Sequence, residues 1–239
     1  MEKVFKSKLK ENADKIGVNL NEDSLNKLYK YKNLVIEWNE KINLTAIIDD
    51  FEFIIKHFID SLTINKYIKE KETIIDVGTG AGFPGIPLKI LNKDNSIVLF
   101  DSLNKRLKVL DDIIEKLGLI NIETLHGRAE ETFKNKQYRE KYDVAVSRAV
   151  ASLNVLVELM LPAVKVGGFC ICMKGNNVEE EIKESRKAIK ELGGEIVKVD
   201  KLILPELNLE RNIVIIKKIK QTPNKYPRKP GTPQKEPIK

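Results

Sequence analysis

Thr73-Ile-Ile-Asp-Val-Gly-Thr-Gly-Ala-Gly-Phe-Pro-Gly-Ile-Pro87 reads as a buried strand running straight into a glycine-rich turn. Ile74, Ile75 and Val77 are β-branched and apolar, as a central parallel strand covered on both faces requires. Gly78, Gly80 and Gly82 then follow at every second position. Glycines there let the backbone adopt positive φ. They also let a ligand lie against bare N–H groups at the start of the next helix, expected over residues 84–91. The stretch is therefore expected to hold a nucleotide-like cofactor.

Two fingerprints overlap in this turn. Gly80-Ala-Gly-Phe-Pro-Gly85 formally matches the dinucleotide pattern G-x-G-x-x-G, which would make the chain a dehydrogenase. The glycine series, however, begins at Gly78 with Asp76 two residues before it, and Asp76-x-Gly-x-Gly-x-Gly82 resembles motif I of the S-adenosylmethionine-dependent methyltransferases with the doubly wound fold. A carboxylate at the strand tip repels a pyrophosphate but suits a ligand carrying an ammonium and a sulfonium. A second acid points the same way. The run Ser96-Ile-Val-Leu-Phe100 reads as the next strand and ends in Asp101, about twenty residues on, where a carboxylate accepts hydrogen bonds from ribose hydroxyls.

Composition bounds the rest. At 239 residues with 42% hydrophobic content, the chain suits one α/β domain plus an extra element. The first ten residues lack an apolar signal core and no stretch approaches ~18 apolar residues, so a cytoplasmic, non-membrane protein is expected. Cys170 and Cys172 lie two apart in an apolar run and read as buried thiols rather than as a metal or redox pair, and no metal site is expected. Residues 217–239 carry eight Lys or Arg against one acid, which accounts for the whole net charge of +7. A basic tail on a neutral body is an electrostatic handle, most simply for nucleic acid. A monomer is expected.

The domain reading is a helical extension over 1–70, a methyltransferase domain over 71–219 and a basic Pro-rich tail over 220–239. In the first part, Asn21 reads as an N-cap before Leu25, Leu28, Val35 and Trp38, with Trp38 a core residue, and Asp49-Asp50 opens a further helix bearing His57, Asp60 and Ser61. From Thr73 onward strand-like and helical runs alternate, the signature of a parallel sheet. Strands are expected over 73–77, 96–100, 121–125, 142–146, 168–173, 196–203 and 211–217, with helices over 84–91, 104–117, 152–161 and 177–192. The fold class is thus α/β, a doubly wound, seven-stranded, mostly parallel sheet closed by an antiparallel hairpin. The tail, with five of the nine prolines, is expected to be extended or disordered when free.

The fourth strand ends in Ser147-Arg148-Ala149, where a transferred methyl meets its acceptor. That sequence is neither the Asn-Pro-Pro-Tyr that holds an exocyclic nitrogen nor a Pro-Cys that attacks a pyrimidine carbon. An acceptor needing neither a base nor a covalent intermediate has a free lone pair. N7 of guanine is such an atom, and other lone-pair acceptors stay open. At this point the resemblance becomes specific. Asn43-Leu-Thr45, His57-Phe-Ile-Asp60-Ser61, the 76–87 turn, Asp101-Ser-Leu-Asn-Lys-Arg106, Ser147-Arg148-Ala149, Met173-Lys-Gly175 and Glu210-Arg211 occur in order. Together they resemble the bacterial small-subunit ribosomal RNA methyltransferase G family, once called glucose-inhibited division protein B. The match extends to Lys225-Tyr-Pro-Arg-Lys-Pro-Gly-Thr-Pro233.

The resemblance implies methyl transfer from S-adenosylmethionine to N7 of a guanine in 16S rRNA near the decoding region, with 16S rRNA or the small ribosomal subunit as partner. It implies cofactor contacts from Gly78, Phe83, Ala129, Glu130 and Arg148, to which the turn and strand tips add Asp76, Gly80, Gly82 and Asp101. Arg148 is the expected catalytic residue. His57, Lys105, Arg106, Lys174 and Arg211 are expected to face RNA. Three rivals stay open: methylation of another RNA atom, a dehydrogenase using the 80–85 glycines, and a non-enzymatic ribosome-assembly factor with a vestigial pocket.

Overall fold

A computed structural model describes residues 1–148, 151–176 and 178–239. Seven strands form one sheet in the order β3-β2-β1-β4-β5-β7-β6. They are β1 Thr73–Val77, β2 Ser96–Asp101, β3 Ile122–His126, β4 Tyr142–Arg148, β5 Val164–Lys174, β6 Gly194–Leu204 and β7 Leu209–Lys218. β1 pairs in parallel with β2 and β4, β2 with β3, and β4 with β5, while β7 runs antiparallel to both β5 and β6. The expected doubly wound sheet with an antiparallel closing hairpin is what the chain forms. The strands beyond β4 run longer than their apolar cores, because β5 and the 194–218 hairpin extend through partly exposed residues at their ends.

The period of two along each strand sorts the core into two layers. Ile74, Val144, Val146, Ile171 and Ile213 face one layer, and Ile75, Val77, Ala145, Cys170, Cys172 and Val214 face the other. The first layer is covered by α1 Glu2–Lys15, α2 Glu22–Asn39, α5 Gly85–Leu91 and α6 Asn104–Leu117. The N-terminal helices therefore share a core with the sheet. Asn21 caps α2 as expected, accepting from Ser24 N at 2.8 Å. Trp38 is only partly buried and donates its indole N–H to Asp112 Oδ2 at 2.7 Å.

Between these helices and β1 the chain forms α3 Asp50–Phe53, a π-helical turn Ile54–Ile59 and α4 Asp60–Leu62. Asp49 caps α3 through Phe51 N and Glu52 N. Single π-helical turns inside helices are rare and recur at functional sites.

The second layer is covered by α7 Ala129–Thr132, α8 Leu153–Met160 and α9 Val178–Glu191. Both cysteines are fully buried there, with Cys172 Sγ 3.8 Å from Met160 Sδ, and burial pushes the Cys172 thiol up to about 12. The tail departs from expectation. Tyr226 and Ile238 join this layer, and a short α10 Thr232–Lys235 lies against α8. Arg228 meets the buried Glu158 carboxylate at 2.7 Å, and Arg139 donates to the carbonyls of Thr222 and Tyr226. Composition misread the segment, since a few aromatic, aliphatic and ionic anchors suffice to dock a Pro-rich chain.

Candidate active site

The carboxyl ends of β1, β2, β3 and β4 open onto one cleft of ≈ 590 Å³. That size and placement suit a small-molecule ligand of an open α/β sheet. The glycine turn forms its floor. Gly78 N and Thr79 N both donate to Phe100 O, which ties the turn across to β2. Gly80, at φ +60°, has no atom within 4 Å of the place a Cβ would occupy, so the turn leaves open space there.

Gly82 is different. A Cβ there would stand 2.6 Å from the Tyr31 hydroxyl, which donates to Ala81 O at 2.5 Å. The third glycine makes room for a tyrosine of the N-terminal extension, and Gly82 does not line the cleft.

Asp76 also differs from expectation. It is fully buried and does not line the cleft. Its Oδ2 accepts from Thr79 Oγ1 at 2.7 Å and Gly85 N at 2.9 Å, while Oδ1 has no partner among the described residues. Burial raises its carboxyl to about 6 against those two hydrogen bonds. Asp76 thus fixes the shape of the turn from beneath. Any influence on a bound cation acts through space.

Asp101 sits where the β2 tip predicted. Its Oδ2 accepts from Gly80 N at 3.0 Å and its Oδ1 from Leu103 N at 2.9 Å. Each carboxylate oxygen keeps a lone pair for a ligand hydroxyl. Arg106 stands 3.8 Å from Asp101 and lines the cleft. Ala129 and Glu130 form another wall after β3, and Glu130 Oε1 accepts from Gly231 N at 3.1 Å, so the tail reaches the cleft wall.

At the end of β4, Arg148 is nearly enclosed. Its Nη1 donates to Lys56 O at 2.9 Å and lies 3.3 Å from Asp60 Oδ2, and its Nη2 lies 3.1 Å from His57 Nδ1. The guanidinium carbon is 5.1 Å from the centre of the Phe83 ring. The π-helical turn supplies the Lys56 and His57 carbonyl groups that surround Arg148. Ala149, the third residue of the expected motif, lies outside the described residues.

The residues expected to face RNA separate. Lys105 is exposed and has no described partner, and Arg211 is half-buried against Asp60. Lys174 is 9% exposed and is held by Ala151 O and Glu181, so it ties the segment before α8 to α9. His57 is buried, and desolvation, then Arg148 and Lys56, pushes it down to about 3. His57 nevertheless lines the cleft, with a neutral imidazole that offers no charge to a phosphate. Sequence reasoning missed Arg128, whose exposed side chain lines the cleft. Its position in the 126–131 loop at the carboxyl sheet edge was the available signal. Thr79, Leu44 and Leu159 also line the cleft; Thr79 lies inside the glycine turn and Leu44 inside Asn43-Leu-Thr45, while nothing in its sequence setting marked Leu159. Among the described residues no group of three or more His, Cys, Asp or Glu is placed to hold a metal ion, and no helix is long and apolar enough to cross a membrane.

The strand order, the glycine turn beneath an open cleft and the acid at the β2 tip define a class I S-adenosylmethionine-dependent methyltransferase. A likeness in fold agrees: a SAM-dependent O-methyltransferase from Thermotoga maritima superposes with a TM-score of 0.52 at 17% identity, over 79% of this chain and 73% of that one. The family model for rRNA small subunit methyltransferase G matches residues 24–214, and the chain belongs to that family. It is 51% identical to the ribosomal RNA small subunit methyltransferase G of Alkaliphilus metalliredigens, over 97% of this chain and 98% of that one. It is 53% identical to the Acetivibrio thermocellus protein of the same name, over 95% and 94%.

Proposed function

We propose that this protein methylates N7 of a guanine in 16S rRNA of the small ribosomal subunit, near the decoding region, using S-adenosylmethionine. The observation that carries the choice of atom is that the described groups around the end of β4 include no free base or nucleophile. Ser147 Oγ donates to Val77 O at 2.7 Å within the core. Both ring nitrogens of His57 are engaged, Nδ1 by Arg148 and Nε2 by Thr45 Oγ1 at 2.8 Å. Arg148 cannot accept a proton at neutral pH. An acceptor with its own lone pair needs neither kind of help.

Bound in the cleft, S-adenosylmethionine supplies an electrophilic methyl group. The chain's part is then positioning, which is able to contribute ~7–11 kcal/mol toward the barrier when geometry is held. Asp101 would hold the ribose hydroxyls, and Gly78, Gly80, Ala129 and Glu130 would line the nucleoside. Arg148, held on Phe83 and Asp60, would border the space between cofactor and acceptor. The cleft fits such a ligand: it is open at Gly80 and has an acceptor pair at Asp101.

Methylation at N7 puts a fixed positive charge on the imidazole ring, which then becomes prone to reductive opening. Unmodified rRNA incubated with the protein and S-adenosylmethionine, then treated with borohydride and aniline, should be cut at one new position. Arg148→Ala should abolish the cut. Label incorporation without a new cut would mean an exocyclic nitrogen, ring carbon or ribose acceptor and would sink the N7 reading.

A further inference from the structure

Asp60 shares one buried carboxylate between two arginines that come from distant parts of the chain. It is 2% exposed, with Oδ2 3.3 Å from Arg148 Nη1 and Oδ1 accepting from Arg211 Nε at 3.1 Å. Arg148 ends β4, Arg211 lies in β7, and Asp60 follows the π-helical turn. The two guanidiniums are left in different states. Arg148 has a 14% exposed side chain, and both its terminal nitrogens are engaged by the 56–60 segment. Arg211 is 24% exposed, with Nε on Asp60 and Nη1 on Glu210 O. Its Nη2 has no partner among the described residues.

A guanidinium carries five N–H donors in a planar fork, so the outer edge of Arg211 remains available to an acceptor. Two guanidiniums on one carboxylate leave a net charge of one positive unit. An RNA phosphodiester is the acceptor that matches a charged planar edge. An unanchored surface arginine loses rotamer freedom on meeting such a phosphate, and Asp60 removes that freedom beforehand.

We propose that Asp60 is a positioning residue: it aims the free edge of Arg211 at a phosphate of the rRNA substrate and, through the same carboxylate, ties that contact to Arg148 in the cofactor cleft. The inference rests on the rRNA reading above.

The test uses the full-length protein, unmodified 16S rRNA and labelled S-adenosylmethionine, with RNA affinity measured across a salt series. Arg211→Gln should raise KM for RNA about tenfold and lower the salt slope by about 0.7–0.9, the share of one phosphate. Asp60→Asn should raise KM about tenfold with the salt slope kept, because the charge of Arg211 remains. The double variant should be no worse than either single one, since the two residues act as a unit. Arg211→Lys keeps the charge but cannot span carboxylate and phosphate, so it should raise KM without changing the slope, even if Asp60→Asn fails to fold. A KM within about twofold of wild type in Asp60→Asn or Arg211→Lys, or additive effects in the double variant, would overturn the inference while wild-type transfer stands. Wild-type protein that binds S-adenosylmethionine yet transfers no methyl to rRNA would overturn the rRNA reading, and the phosphate assignment with it.

Discussion

The imidazole of His57 lies flat on the ring of Phe83, with 3° between the planes and 4.3 Å between centroids. Arg148 donates to Nδ1 of the same imidazole, so Nε2 carries the proton and donates to Thr45 Oγ1. A second proton on His57 would point an N–H at the Arg148 guanidinium. The stack, the arginine and burial all favour the neutral ring.

This makes His57 an acid-labile point. Its pKa in the folded protein is about 3, below the ordinary 6.5, so the unfolded chain binds the proton first and stability falls as pH drops below 6.5. Asp76, raised to about 6, acts in the opposite direction between about 6 and 4 and offsets part of the loss. His57→Gln should therefore lose about 2 kcal/mol less than wild type between pH 6.5 and pH 5 in denaturant titrations. Parallel pH curves for the two proteins would show that His57 is not held neutral.

Asp101→Ala should weaken S-adenosylmethionine binding by ~1–3 kcal/mol, because buried ribose hydroxyls lose a charged acceptor. Gly80 N and Leu103 N lose their partner as well, so a thermal melt of the variant separates a loosened turn from a lost contact. Unchanged affinity in calorimetry would remove Asp101 from the cofactor site.

Gly80 and Gly82 should separate binding from folding. Both have positive φ, so alanine is strained at either by ~1–2 kcal/mol. At Gly82 the new Cβ also meets Tyr31 and Ile86 within the core, and Gly82→Ala should cost about 2–4 kcal/mol of stability in all. At Gly80 it meets nothing but the cleft, so Gly80→Ala should lose cofactor affinity out of proportion to its stability. Equal melting points for the two variants would refute this division.

Truncation after Ile219 removes Tyr226 and Ile238 from the second core layer, Arg228 from Glu158 and Gly231 from Glu130. The truncated protein should melt at a lower temperature and bind S-adenosylmethionine more weakly, because a cleft wall loses its support. Its RNA affinity should also respond less to salt, since exposed Lys229 and Lys235 leave with the tail. A truncated protein with full cofactor affinity would mean that Glu130 needs no tail.

The features legible in the sequence are those that neighbours along the chain decide. Alternation in β1 placed Ile74 and Ile75 on opposite layers, the glycine series marked the turn, and Asn21 marked the start of α2, because strand pleat, positive φ and capping act within a few residues. What only the tertiary structure decided depends on contacts between distant residues. Asp60 meets Arg148 and Arg211 across separations of 88 and 151 residues, and Arg228 meets Glu158 across 70. Burial then reverses what side-chain type suggests. His57 and Lys174 are expected to face RNA, but burial holds the first neutral and the second is paired with Glu181. Asp76 and Gly82 read as ligand contacts, but the first lies beneath the turn and the second makes room for Tyr31. Sequence determined the sheet, its glycine turn and the acid at the β2 tip, because those follow from local backbone chemistry. The packing of the N-terminal extension and the tail decided which of the expected side chains reach the cleft, because solvent exposure and charge state belong to the folded surroundings and not to the residue.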